Sequence, residues 1–346
     1  MKIETDTRPQ QSFPDTAALV RSLVHYREPS QSRALFELGV TVGALALLWV
    51  AMQLSLGVSY WLTLLLSLPA AGFLVRLFLI QHDCGHGAFF RHKIANDWVG
   101  RVLGVLTLTP YDYWKRNHAI HHASSSNLDR RGIGDIETLT VQEYRARSWL
   151  GRCAYRIYRN PLVMFGVGPA YLFFLQHRIP LNQMRAGWKP WLSTMATNIA
   201  IGLVITFMAG AVGIQPFLLV HMPVMLLAAS IGVWLFYVQH QYEGVAWMRD
   251  HAWTLHESAL SGSSHYHLPG VLRWLTANIG MHHVHHLNSR IPYYRLPQVL
   301  RDHPELRDVS QLTLRQSLRG VRLALWDETR QKLVSFRDIA MGSGRC

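Results

Sequence analysis

Residues 34 to 75 read ALFELGVTVGALALLWVAMQLSLGVSYWLTLLLSLPAAGFLV, without one Lys or Arg in a chain that carries 34 of them. An apolar helix needs ~20 residues to cross a ~30 Å hydrocarbon core, so this run can cross twice with a turn between. A second run without Lys or Arg extends from Pro190 to Met248. Four spans are predicted, at about 35–56, 60–80, 190–212 and 216–239. The core of a soluble domain rarely needs two runs of double length without Lys or Arg, which sets a soluble fold aside. The fold class expected is an all-α integral membrane protein, with four transmembrane helices in two hairpins.

The formal charge is +13, and the basic residues are segregated. The turns near Gly57 to Ser59 and Gly213 to Gln215 carry none, whereas both ends and the middle of the chain carry nearly all of them. Positive residues stay on the cytoplasmic side. Both termini and the segment between the hairpins are therefore expected in the cytoplasm. The chain divides into an N-terminal segment (1–33), a membrane and histidine core (34–289) and a basic tail (290–346), all within one domain. Residues 98–109 and 161–176 are apolar but short, and read as interfacial or re-entrant helices. Arg76, near the cytoplasmic end of the second span, is expected to snorkel to the interface. Cys84, Cys153 and Cys346 show no paired spacing, and no disulfide framework is expected. No cleaved signal peptide is evident, nor a repeat of fixed period, and no nucleic-acid partner is expected.

Among 19 histidines, eight fall into three clusters: His82 and His86; His118, His121 and His122; His282, His285 and His286. Residues three and four apart share one face of a helix, so each cluster offers one metal-facing surface. The spans between the clusters put all three on the cytoplasmic side. Imidazole suits zinc, copper, nickel and iron, so the spacing gives a metal site without naming the metal. Eight ligands are too many for one ion, and two ions are expected. In the stretch from Met281 to Leu287 two registers are possible. Starting at His282 repeats the spacing of His118, His121 and His122, so His283 is left out.

HDCGH at His82 to His86, HAIHH at His118 to His122 and HHVHH at His282 to His286 resemble, in order and spacing, the three boxes of the membrane-bound fatty acid desaturases. The resemblance runs from about residue 35 to residue 297. Its flanks, PYDYWKRNHAIHHASS (110–125), GDIETLTVQEY (134–144), FYVQHQYEG (236–244) and GSSHYHLPGVLRWLTANIGMHHVHHLNSRIPYY (262–294), look like bacterial acyl-lipid desaturases of the Δ12 or Δ5 kind. The resemblance implies two irons, held under a cytoplasmic helical cap at the bacterial inner membrane. It adds His240 in VQHQ as a ninth ligand, whose alternative is a histidine at the membrane interface. It also implies oxygen-dependent introduction of a cis double bond into an acyl chain, with O2 as co-substrate. The acyl carrier is expected to be a membrane lipid, with acyl-CoA or acyl carrier protein as alternatives.

Ligating histidines commonly pass their far N–H to a carboxylate, and Asp83, Asp112, Asp135, Glu243 and Asp250 lie near the boxes in sequence. The two hairpins are expected to supply an apolar slot for the chain. No CxxC pair and no Gly-rich dinucleotide fingerprint occurs, and HLPG at His267 to Gly270 is only superficially like a haem motif. The electrons are therefore expected from a separate, ferredoxin-like donor. From Arg290 onward eleven Arg or Lys stand against six acids, with leucines at helical spacing. This tail is expected to pack under the site and touch anionic lipid, or to dock an acidic partner. Alternatives on the same scaffold are a fatty acyl hydroxylase or acetylenase and a carotenoid ketolase. A histidine-rich metal transporter is a further alternative, disfavoured because the clusters lie at span ends and not at mid-membrane.

Overall fold

The computed structural model describes residues 16–342. Four helices are long and apolar enough to cross a membrane: Gln31–Ser55, Tyr60–His86, Trp188–Val212 and Ile214–His240. These match the four spans expected from the sequence, each within a few residues except that the second runs on to His86. The first 15 residues of the N-terminal segment and Cys346 lie outside the described residues.

The first two long helices pack antiparallel. Ser55 and Thr63 hydroxyls meet at 2.7 Å near the turn, while Thr41 and Arg76 meet at 3.1 Å far from it. The third and fourth long helices are joined at Gly213 alone, whose φ of +87° is a conformation that suits glycine. Leu47, Trp61, Leu65, Leu203 and Phe207 point outward and are exposed, an apolar surface far larger than a soluble monomer presents. The molecule is a membrane protein.

Two features differ from the expectations. The fold is mostly helical but not all-α, because the chain outside the spans forms two small sheets. Leu139–Thr140 pairs in parallel with Leu323–Asp327, which pairs antiparallel with Lys332–Ser335. His265–His267 pairs in parallel with Gln311–Thr313. The C-terminal region is therefore not a plain helical tail. Its stretch LALWD (323–327) buries Ala324, Leu325 and Trp326 in succession, the short apolar run of a strand covered on both faces. It is tied to the middle segment by Tyr155, whose hydroxyl donates to the Ala324 carbonyl at 2.6 Å.

Arg76 also differs. Instead of snorkelling to the interface it is 1% exposed, and its guanidinium binds the carboxylate of Glu37, itself 1% exposed. The same group donates to the Trp274 carbonyl and lies 4.1 Å from the Trp274 ring. A buried cation needs a paired anion and hydrogen bonds, and here Glu37 supplies the first while Thr41, Trp274 and Tyr293 add the second.

Candidate metal centre

The second long helix ends just past His86, where Gly87 (φ +67°) returns its N–H to the Cys84 carbonyl at 3.0 Å. That left-handed cap is the usual glycine stop of a helix. The fourth long helix ends on His240, so both helices deliver histidines from their last turns. His118, His121 and His122 come from the helix Tyr111–Ser124, and His282, His285 and His286 from the short helix His282–Leu287.

The nine histidines converge in two groups. His82, His86, His118, His122 and His285 form one, and His121, His240, His282 and His286 the other, with the ligand atoms of each group within 4.8 Å of one another. Within the first group, Nε2 of His118 lies 3.0 Å from Nε2 of His86 and 3.1 Å from that of His122, which lies 3.2 Å from Nε2 of His285. Within the second, Nε2 of His240 lies 3.1 Å from that of His121 and 3.0 Å from that of His282, which lies 3.1 Å from Nε2 of His286. Two nitrogens bound at right angles to one ion, each at ~2.1 Å, would be ~3.0 Å apart. The donor set and its spacing therefore fit one metal ion per group.

The triplets do not each converge on one point. His118 and His122 serve the first group while His121 serves the second; His282 and His286 serve the second while His285 serves the first. At ~100° per residue, positions i+3 and i+4 fall on opposite sides of position i, so a triplet addresses two points. Box spacing thus lets one triplet contribute to both groups of imidazoles.

Burial favours the neutral form at five of the rings. His118, His122, His282, His285 and His286 are all held well below the usual imidazole range, first by desolvation and then by the neighbouring imidazoles. A neutral ring offers the lone pair that a metal needs.

Of the five candidate acids, two reach a ring. Nδ1 of His121 donates to Asp135 at 2.5 Å, and Nδ1 of His82 lies 3.4 Å from Asp83. His240 instead directs Nδ1 to the Gly262 carbonyl at 3.1 Å. Asp112 is taken by Arg101 and Asp250 by Asn127 and Arg130, and no contact of Glu243 with a box histidine is found among the described residues. His283, left out by register, lies apart: its Nε2 donates to the Leu306 carbonyl at 2.9 Å. Sequence reasoning missed Trp114, which stacks on the His118 ring at 4.7 Å and 14°. Its signal was its place four residues before His118, one turn along the same face.

A cavity of about 670 Å³ opens beside these rings, lined by His82, His118 and His282 and otherwise mostly by apolar side chains. That is within the roughly 300–1,000 Å³ of small-molecule sites. Its walls come from the second and fourth long helices, the Tyr111–Ser124 helix and residues 158–177. The slot therefore takes one helix from each expected hairpin, and the middle segment supplies most of the rest, with Ile279 and His282 from beyond the fourth helix.

Residues 58–317 match the family model described as fatty acid desaturase. The chain is 46% identical over 321 residues to a fatty acid desaturase of Bacillus subtilis (strain 168), covering 93% of this chain and 91% of the relative. It is 29% identical over 234 residues to an sn-1 acyl-lipid omega-3 desaturase (ferredoxin) of Synechocystis, covering 64% and 61%. It is 23% identical over 281 residues to the sn-1 oleoyl-lipid 12-desaturase of the same organism, covering 78% and 75%. A match of this extent, on a chain whose three boxes and cavity meet at one place, makes this protein a member of the fatty acid desaturase family.

Proposed function

We propose that the protein desaturates the acyl chain of a membrane lipid, using two irons held by His82, His86, His118, His122 and His285 and by His121, His240, His282 and His286. The observation that carries the reading is the meeting of nine imidazoles, in two groups, with an apolar cavity. Removing two hydrogens from adjacent carbons while reducing O2 to two waters requires two further electrons and two protons. No side-chain acid or base breaks an unactivated C–H bond, and the chemistry the irons supply when bound is the activation of O2 for that purpose.

The chain's own residues do the rest. Phe78, Leu79, Met225 and Val233 line the cavity and exclude water from the reacting carbons. Trp114 and Asp135 fix the ring planes of His118 and His121, so that each nitrogen is aimed before a metal arrives.

The four long helices are two hairpins whose turns face outward, and the histidines lie under a cytoplasmic cap of the bacterial inner membrane. The charge asymmetry supports this topology, as does the delivery of His86 and His240 from the last turns of alternate helices. The electron donor is a separate protein of the ferredoxin type; one relative carries ferredoxin in its name. An acyl-lipid is the substrate, as in the names of two relatives.

The test is mass-spectrometric profiling of acyl chains in a host with and without the gene. A new cis double bond in the lipid fraction is expected. A hydroxy acid would instead identify a hydroxylase, altered carotenoids a ketolase, and altered cellular metal alone a transporter.

A further inference from the structure

Val167 and Tyr171 both line the cavity and are among the exposed apolar side chains of the protein, at 66% and 51%. A residue that touches the cavity on one side and the surroundings on the other is a wall one side chain thick. Leu162 and Leu175, on the same stretch, are exposed as well, so the outer surface here is apolar and suits lipid rather than water.

The depth of this wall follows from its packing. Phe165 lies 5.1 Å from the Trp234 ring and 5.2 Å from the Tyr237 ring, in the last two turns before His240. Phe173 lies 6.4 Å from Phe78, about two turns before His86. The wall therefore stands level with the ends of the spans, where the ester groups and first carbons of bilayer lipids lie. Its backbone is irregular: Val163–Val167 is π-helical, and a Cβ at Gly168 would meet the Val163 carbonyl at 2.9 Å. Such a bulge opens a helix locally and often marks a functional site.

Charge narrows what enters. No Lys or Arg lines the cavity among the described residues, and the acid there is Asp135. A free carboxylate or a phosphate would be buried there with no Lys or Arg to pair with. Among the polar side chains that line it are the amides of Asn117, Gln176 and Asn182, whose N–H groups suit the carbonyl of an ester.

We propose that the substrate enters sideways from the bilayer between Val167 and Tyr171, as the ester-linked acyl chain of an intact lipid, with the ester left among the Asn117, Gln176 and Asn182 amides. This rests on the acyl desaturation reading for its purpose, but its test reads binding. The probe is a phosphatidylglycerol with a photoreactive diazirine midway along one chain, in vesicles holding full-length protein. A Cys153→Ser, Cys346→Ser background carries Val167→Cys, which is blocked after reconstitution with pyrenyl maleimide. Before blocking, photoadducts are expected on the peptides spanning Val163 to Leu172 and Met225 to Val233; after blocking, those on Met225 to Val233 are lost.

Adducts on Met225 to Val233 that survive the block, or their absence from the unblocked protein, overturn the lateral route. Product formation by unmodified protein in the same vesicles, with iron, O2 and reduced ferredoxin, reads the desaturase assignment separately. Product with block-insensitive adducts removes the lateral route alone, and block-sensitive adducts without product remove the desaturase reading alone.

Discussion

The backbone N–H of Tyr293 donates to Oδ2 of Asp83 across 2.7 Å, joining the chain just past the third histidine box to the helix that carries the first. The same tyrosine sets its hydroxyl 3.3 Å from both Glu37 and Arg76. Asp83 in turn faces His82 through Oδ1. One residue thus links the buried ion pair of the first two long helices to the first group of imidazoles. Asp83→Ala leaves the Tyr293 N–H buried without an acceptor, at about 1–3 kcal/mol. A lower melting temperature and reduced iron retention in the purified variant are expected; unchanged iron content would dismiss the link.

The Glu37 and Arg76 pair makes a second prediction, sharper for being inside the bilayer region. Glu37→Leu alone strands a buried guanidinium and is expected to destabilise by about 3–5 kcal/mol. Adding Arg76→Met removes the stranded charge, and the double variant should recover much of that loss. Thermal melts in detergent of the two singles and the double check this. A double variant as damaged as the sum of the singles would mean the pair is not coupled.

Adjacent histidines should separate cleanly. His282→Ala removes a member of the second group and is expected to abolish unsaturated product and lower bound iron. His283→Ala removes the hydrogen bond to the Leu306 carbonyl and the ring contact with His265, a loss of about 1–3 kcal/mol in stability, with iron retained. Metal analysis of both variants decides it; equal iron loss would return His283 to the site.

The Asp135 carboxylate aims His121. Asp135→Ala is expected to lower iron affinity or turnover about 10–100-fold, the usual effect of losing the partner of a ligating imidazole. Competition of the purified variant against a graded iron chelator measures it, and wild-type affinity would mean that Gly134 to Ile136 only covers the site.

Much of this was legible in the sequence, and the reasons are physical. The spans showed because membrane crossing imposes a length and a scarcity of charge that few other demands produce. Eight of the histidines showed because a helix keeps i, i+3 and i+4 on one side whatever the rest of the fold does, whereas His240 showed only through the family resemblance. The pairing of Glu37 with Arg76 did not show, because the two lie on different helices whose contact depends on packing. Asp135 and Asp112 looked equivalent by position, and only the neighbouring Arg101 removed Asp112. The strand at Leu323–Asp327 was hidden because its pairing partners, Leu139–Thr140 and Lys332–Ser335, are set by tertiary contacts rather than by local pattern.

The central claim, two irons serving acyl desaturation, is tested most directly in a single sample. Purified protein in lipid vesicles is assayed for iron per chain and, after adding O2 and reduced ferredoxin, for double bonds in the vesicle lipids. Two irons per chain and a new cis double bond that vanishes with iron removal are predicted. Product formation by iron-free protein, or an iron-loaded protein that leaves the acyl chains unchanged, would contradict the account.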